Sequence, residues 1–280
     1  MRGMQNFAAR LAHAHAISGS LVCVGLDPDM ARLPADLAHK SEPLFDFNRR
    51  IVDATWDLAA AYKPQIAFYS AVAAEAQLAA SIRYIRERAP HALVILDAKR
   101  SDIGNTAEAY AREAFDRYGA DAVTINPYMG EDSVLPFLSR ADRGAILLCR
   151  TSNPGARDFQ DLIVDGLPLY RRVAACAASR WNKNRNLMLV VGATWPNEMA
   201  ALRAAHPELP FLVPGIGAQG GDLKATLTAG LDAKGTGLLI NSSRAIMYAG
   251  SGPLAGSHDA IRAAAEALKK AINATRAAAR

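Results

Sequence analysis

"LVILDAKRSD", Leu93 to Asp102, changes character halfway along. Its first four residues are continuously apolar, so a strand built from them is buried on both faces, as strands of a parallel sheet covered by helices are. Its second half packs Asp97, Lys99, Arg100 and Asp102 into six residues. Similar apolar runs recur outward from it: "LVCVGL" (21–26), "LAAAYK" (58–63), "AVTIN" (122–126), "AILLC" (145–149), "LMLVVGA" (187–193), "FLVPG" (211–215) and "GLLINSS" (237–243). Between them lie segments with helical spacing, among them "YSAVAAEAQLAASIRYIRER", "TAEAYAREAFDRYG" and "PNEMAALRAAH". Eight strand–helix alternations predict an α/β chain folded as a single (β/α)8 TIM barrel over residues 1–280, with an N-terminal helix and a basic C-terminal helix. A doubly wound open sheet is the structural alternative. No Pro/Gly/Ser-rich linker divides the sequence, which favours one domain.

The composition, 51% apolar and 21% charged, is that of a globular protein with a sizeable core. No apolar stretch approaches the roughly 18 residues needed to span a bilayer, and the start, "MRGMQNFAARLAHAHAISGS", lacks the compact apolar segment of a secretory signal. The expectation is a cytoplasmic protein with no membrane partner. Cys23, Cys149 and Cys176 have no metal-type spacing, and two of them sit inside apolar runs, so they read as reduced, buried thiols. Four of the five net positive charges fall in the last twenty residues, on an alanine-rich segment. This predicts the solvated face of a C-terminal helix and no nucleic-acid partner, which would draw a stripe of charge across the fold.

In a barrel the chemistry sits at the C-terminal ends of the strands. Every such end but the sixth is polar here: Asp27, then Lys63, then Asp97 with Lys99 and Asp102, Asn126, Thr151–Asn153, Gln219, and Ser242–Arg244. Any one of these fits a cap or a turn, but their joint recurrence does not. Asp97 and Lys99 are two apart on a strand and so share the inward face, where charges must neutralise one another. Lys63 on the neighbouring strand supplies a second cation. The glycines of "PGIGAQGGD" and the guanidinium of Arg244 in "INSSR" follow strands seven and eight, where barrels bind phosphate. The Gly/Pro-rich stretch "CRTSNPGARDFQDLIVDGLPLY" after strand five is a candidate loop over the site. The six histidines lie away from strand ends, no metal-ligand spacing occurs, and no serine sits in a nucleophile elbow.

Those residues resemble the orotidine 5′-phosphate decarboxylase family, especially its longer bacterial form. The family's Asp-x-Lys-x-x-Asp-Ile signature with a following Thr is matched by Asp97, Lys99, Asp102, Ile103 and Thr106. The likeness extends to Asp27, Lys63, the "SNPGA" loop, and "PGIGAQGGD" with Arg244. Gly104 departs from the Pro of short-form members. The resemblance implies decarboxylation of orotidine 5′-phosphate to uridine 5′-phosphate, with no metal and no organic cofactor. It also implies roles: Lys99 as proton donor to C6, flanked by Asp97 and by Asp102 from the other subunit of a homodimer, with Lys63 holding the network. Asp27 and Thr106 would bind ribose hydroxyls, Ser152 the pyrimidine edge, Pro214 the ring face, and Gln219 and Arg244 the phosphate.

Three other readings share these residues. A Schiff-base aldolase needs an unprotonated lysine, which flanking carboxylates disfavour. A related Mg²⁺-dependent sugar-phosphate enzyme shares the strand-three motif. A catalytically silent nucleotide-phosphate or polyanion binder would use the same rim only as a pocket.

Overall fold

The computed structural model describes residues 6–216 and 220–278. Gln219 lies outside them. Eight strands close a barrel: β1 Val22–Leu26, β2 Ala61–Pro64, β3 Leu93–Arg100, β4 Ala122–Ile125, β5 Gly144–Arg150, β6 Leu187–Val191, β7 Phe211–Val213 and β8 Leu238–Ser242. Neighbours pair in parallel, and β8 returns to β1 through Val22 opposite Ile240. The (β/α)8 barrel, and not the open sheet, is therefore the fold. Inside it, Cys23, Ala61, Ile95, Ala122, Ile146, Met188, Leu212 and Leu239 pack on one another. Outside, Phe47, Leu78, Phe115, Phe137, Met199 and Ile261 seal helices to the sheet, each large side chain contributing about 1.5–3 kcal/mol on burial.

The helix Phe7–Ser18 closes the end of the barrel from which the strands start, with Phe7, Leu11 and Ala14 packed on the interior residues. Only glycine fits at 144, because a Cβ there would stand 2.4 Å from the Phe7 ring. At the far end of the chain, the helix His258–Ala278 turns three of its basic residues, Arg262, Lys269 and Arg276, back onto the barrel and leaves Lys270 on the expected solvated face. Arg262 pairs with Asp57 and Glu266, Lys269 Nζ donates to Ser18 O at 2.7 Å, and Arg276 Nε donates to Gly235 O at 2.7 Å. The carbonyl of Ser18 ends a helix and lacks an intrahelical partner, which is why a cation settles there.

Local differences from the sequence reading have local causes. Strand two starts at Ala61, because Leu58 and Ala59 donate to Thr55 O in a turn. The helix expected over 69–88 is two pieces, Ile66–Ser70 and Glu75–Arg88, broken where Ala73 adopts φ 53°. The stretch after β5 is only partly irregular. It holds a short helix, Arg157–Gln160, and a hairpin pairing Ile163–Val164 with Leu167–Pro168. Asp165 and Gly166, both at positive φ, form the hairpin's two-residue turn. Among the described residues no helix is long and apolar enough to cross a membrane.

Candidate active site

Lys63 on β2 and Asp97 on β3 point into the barrel at its C-terminal end and are 4% and 7% exposed. Lys63 Nζ donates to Asp97 Oδ2 at 2.8 Å and stands 3.9 Å from Asp27 Oδ1, just past β1. Burial alone would push the Lys63 pKa down, but the carboxylates of Asp97 and Asp27 outweigh it and hold the ammonium above the ordinary lysine range. Burial likewise opposes ionisation of Asp97, and Lys63 and Lys99 overcome it, so Asp97 lies well below the usual carboxylate range. Lys99 Nζ donates to Asp97 Oδ1 at 2.7 Å. The row runs Asp27, Lys63, Asp97, Lys99, two carboxylates alternating with two ammoniums.

Simple strand alternation does not deliver Lys99 to this row. Along β3 and β4, Leu96 sits opposite Val123 and Arg100 opposite Ile125, so β3 carries two extra residues in between. They are accommodated by a bulge in which Lys99 adopts φ 48°, a left-handed conformation that costs a non-glycine residue of the order of 1 kcal/mol or more. Thr124 on β4 holds the bulge. Its Oγ1 accepts the N–H groups of Ala98 and Lys99 at 3.0 and 2.9 Å and donates to Asp97 Oδ1 at 2.9 Å. Strain at Lys99 is thus sustained by a hydroxyl that also orients the carboxylate facing it. Arg100 points away, its guanidinium on Glu113 and over Tyr110.

Two lobes of one cleft open above the row. The smaller, about 200 Å³, is lined by Asp27, Lys63, Asp97, Pro214, Asn241 and Arg244, among others. The larger, about 430 Å³, is lined by Lys63, Asp97, Lys99, Thr124, Ser152 and Pro214, among others. They meet over Lys63, Asp97 and Pro214. Asp27 Oδ1 and Asn241 Oδ1 are buried without a hydrogen-bond partner among the described residues, so the smaller lobe carries unused acceptors. The smaller lobe is suited to a polar group, and the larger sets the apolar side chains of Leu148, Val190, Leu212 and Pro214 beside the Lys99 ammonium.

A profile of the orotidine 5′-phosphate decarboxylase / HUMPS family matches residues 20–259, the span that contains the whole barrel. The chain belongs to that family. Two curated relatives carry the name orotidine 5′-phosphate decarboxylase. The protein of Cellvibrio japonicus is 55% identical over 275 residues, covering 97% of this chain and all of the relative. That of a Janthinobacterium species is 58% identical over 243 residues, covering 87% and 90%. The solved structure of Leishmania donovani OMP decarboxylase superposes with a TM-score of 0.83 at 42% identity, over 97% of this chain and 99% of that one.

Of the residues singled out in the sequence, the decarboxylase-family barrel brings together Asp27, Lys63, Asp97, Lys99, Ser152, Pro214 and Arg244 around the cleft. Asp102 and Thr106 line neither lobe. They stand on the rim, with Asp102 Oδ1 accepting from Ile103 N at 2.8 Å and Thr106 exposed on the helix Gly104–Arg112. Gly104 opens that helix at φ 55°, a conformation that a proline could not adopt. Thr124 and Asn241 were missed. Each is a polar residue at an inward position of an otherwise apolar run, "AVTIN" and "GLLINSS", and that was the available signal. Among the described residues no group of three or more His, Cys, Asp or Glu is placed to hold a metal ion.

Proposed function

We infer that this chain decarboxylates orotidine 5′-phosphate to uridine 5′-phosphate and CO2, with Lys99 acting on C6 of the pyrimidine. The observation that carries the reading is the alternating row ending on Lys99, an ammonium fixed by Asp97 and presented to the larger lobe. In the reaction the C6–carboxylate bond breaks, CO2 departs, and the electron pair stays on C6. No adjacent carbonyl delocalises that pair directly, so a preorganised cation must stabilise it. Lys99 then gives a proton to C6 and is reprotonated from solvent. Lys63 keeps Asp97 ionised and oriented, and Asp97 keeps the Lys99 ammonium in place.

The phosphoribosyl group occupies the smaller lobe, with Asp27 on a ribose hydroxyl and Arg244 and Gln219 on phosphate. The ring occupies the larger lobe between Pro214 and Ser152. Binding energy from the remote phosphate organises the site for chemistry at C6. A second copy of the chain completes it: Asp102 and Thr106, unused in their own cleft, reach the partner's. The exposed apolar side chain of Ile103, next to Asp102 in the chain, and those of Tyr128 and Met129 past the end of the adjacent strand β4 suit such a homodimer contact. Residues 1–280 act as one barrel domain, the enzyme works in the cytoplasm, and it needs neither metal nor organic cofactor.

Purified protein mixed with orotidine 5′-phosphate in EDTA should bleach the orotate absorbance and release one CO2 per uridine 5′-phosphate formed. Turnover abolished by EDTA would favour the Mg²⁺-dependent alternative, and no turnover under either condition a silent binder.

A further inference from the structure

Arg150, the last residue of β5, is only 1% exposed, although nothing in the proposed chemistry uses it. Burying a guanidinium is costly unless its charge is matched. Its face lies 3.9 Å from the centroid of the Trp195 ring and 5.5 Å from that of Tyr170. Its edge meets Asp161, with Nη1 at 3.0 Å from Oδ1 and Nη2 at 3.3 Å from Oδ2, while Glu198 stands 4.0 Å away. A planar, delocalised cation can stack on a ring while its edge pairs with a carboxylate, here through one hydrogen bond from Nη2, and a lysine cannot do both.

Two of the segments gathered by Arg150, those of Trp195 and Asp161, hold Thr151, the residue that follows it. Trp195 Nε1 donates to Thr151 O at 2.8 Å. Gln160, next to Asp161, accepts from Thr151 N and donates to Thr151 Oγ1, both at 2.9 Å. Thr151 Oγ1 in turn donates to Asn153 Oδ1 at 2.7 Å. On the far side, Gly192 donates to Arg150 O at 2.7 Å and leaves no room for a side chain, since a Cβ there would lie 2.8 Å from the Cα of Ser152. Ser152 is therefore wedged between β6 and a frame whose keystone is the buried cation.

We propose that Arg150 is a positioning residue for the ring-binding lobe: by tying Trp195 and the Asp161 segment together it fixes the Thr151–Asn153 loop, so that Ser152 faces the pyrimidine in one orientation. This rests on the reading that Ser152 contacts the pyrimidine. The energy of ordering the loop is supplied before substrate arrives, which raises affinity for ligands that carry the base.

The test compares R150K, W195F and S152A in the full-length protein, with calorimetric titration of uridine 5′-phosphate and of ribose 5-phosphate, which lacks the base. W195F keeps an aromatic ring near Arg150 and removes the donor to Thr151 O together with part of the stacking surface. R150K and W195F should each weaken uridine 5′-phosphate roughly tenfold, the effect of losing one well-aligned hydrogen bond. Ribose 5-phosphate should stay within about twofold of the parent protein. If S152A weakens only the base-bearing ligand while R150K and W195F weaken both ligands equally or neither, the positioning role is wrong. If S152A itself leaves both affinities unchanged, the reading of Ser152 falls, and this inference with it.

Discussion

The two ends of the barrel each bury a carboxylate among cations, and they do so to opposite effect. At the end where the strands start, Asp121 is wholly buried. Its Oδ1 accepts from Arg10 and, at 3.0 Å, from Arg86; its Oδ2 accepts from Val94 N at 2.8 Å; Arg143 stands 3.7 Å away. Every partner there belongs to the scaffold, and Phe7 and its helix cover the end. At the other end Asp97 is nearly as buried, but its second cation, Lys99, keeps 48% of its side chain exposed and faces a cleft. Both carboxylates are held below their ordinary range against the effect of burial, so a depressed pKa does not separate them. What separates them is a charge left facing open space, supported by a strained backbone.

The contrast predicts opposite phenotypes for matched substitutions. Asp97→Asn should lower kcat/KM by about 10³-fold, as removal of a preorganised electrostatic partner does. Asp121→Asn should instead lower unfolding free energy by about 3–5 kcal/mol, the cost of breaking a buried ion pair, with kcat/KM of the folded protein within a few fold of the parent. Steady-state assays beside urea titrations measure both. If folded Asp121→Asn protein also lost activity a thousandfold, the division between the two ends would collapse.

A smaller effect sharpens the same point at the closed end. His15, on the N-terminal helix, is pushed down to about 4, first by burial and then by the Arg276 charge. Its folded pKa lies below the unfolded value of about 6.5, so protonation favours the unfolded chain. The contribution is complete above about pH 6.5 and is lost as the pH falls towards 4, reaching about 3 kcal/mol at about 1.4 kcal/mol per pKa unit. Unfolding free energies of parent and His15→Gln protein should therefore converge or cross as pH drops from 7 to 4. A constant difference across that range would show that His15 is not held neutral.

Barrel and charge row were legible in the sequence for different reasons. Continuous apolar runs such as "LVILD" and "LMLVV" need only local pattern, and all eight became strands. The polar strand ends located the cleft, because a parallel barrel puts those ends on one face. What stayed hidden was conformation set by tertiary partners. The bulge that turns Lys99 depends on the Thr124 hydroxyl one strand away, and the burial of Arg150 depends on Trp195 and Asp161 from two different loops. The basic C-terminal helix misled because charge on an amphipathic segment reads as solvated, and free carbonyls on a distant helix end leave no trace in a sequence.

In the proposed reaction the Lys99 ammonium alone stabilises and protonates C6. The direct measurement is Lys99→Ala, assayed for decarboxylation of orotidine 5′-phosphate and for uridine 5′-phosphate affinity in the same preparation. Turnover should fall by at least about 10⁴-fold, the combined scale of a lost proton donor and a lost preorganised charge, while product binding remains measurable because the lobes that hold phosphate and ring are intact. Turnover within about tenfold of the parent protein would mean that a group other than Lys99 acts on C6.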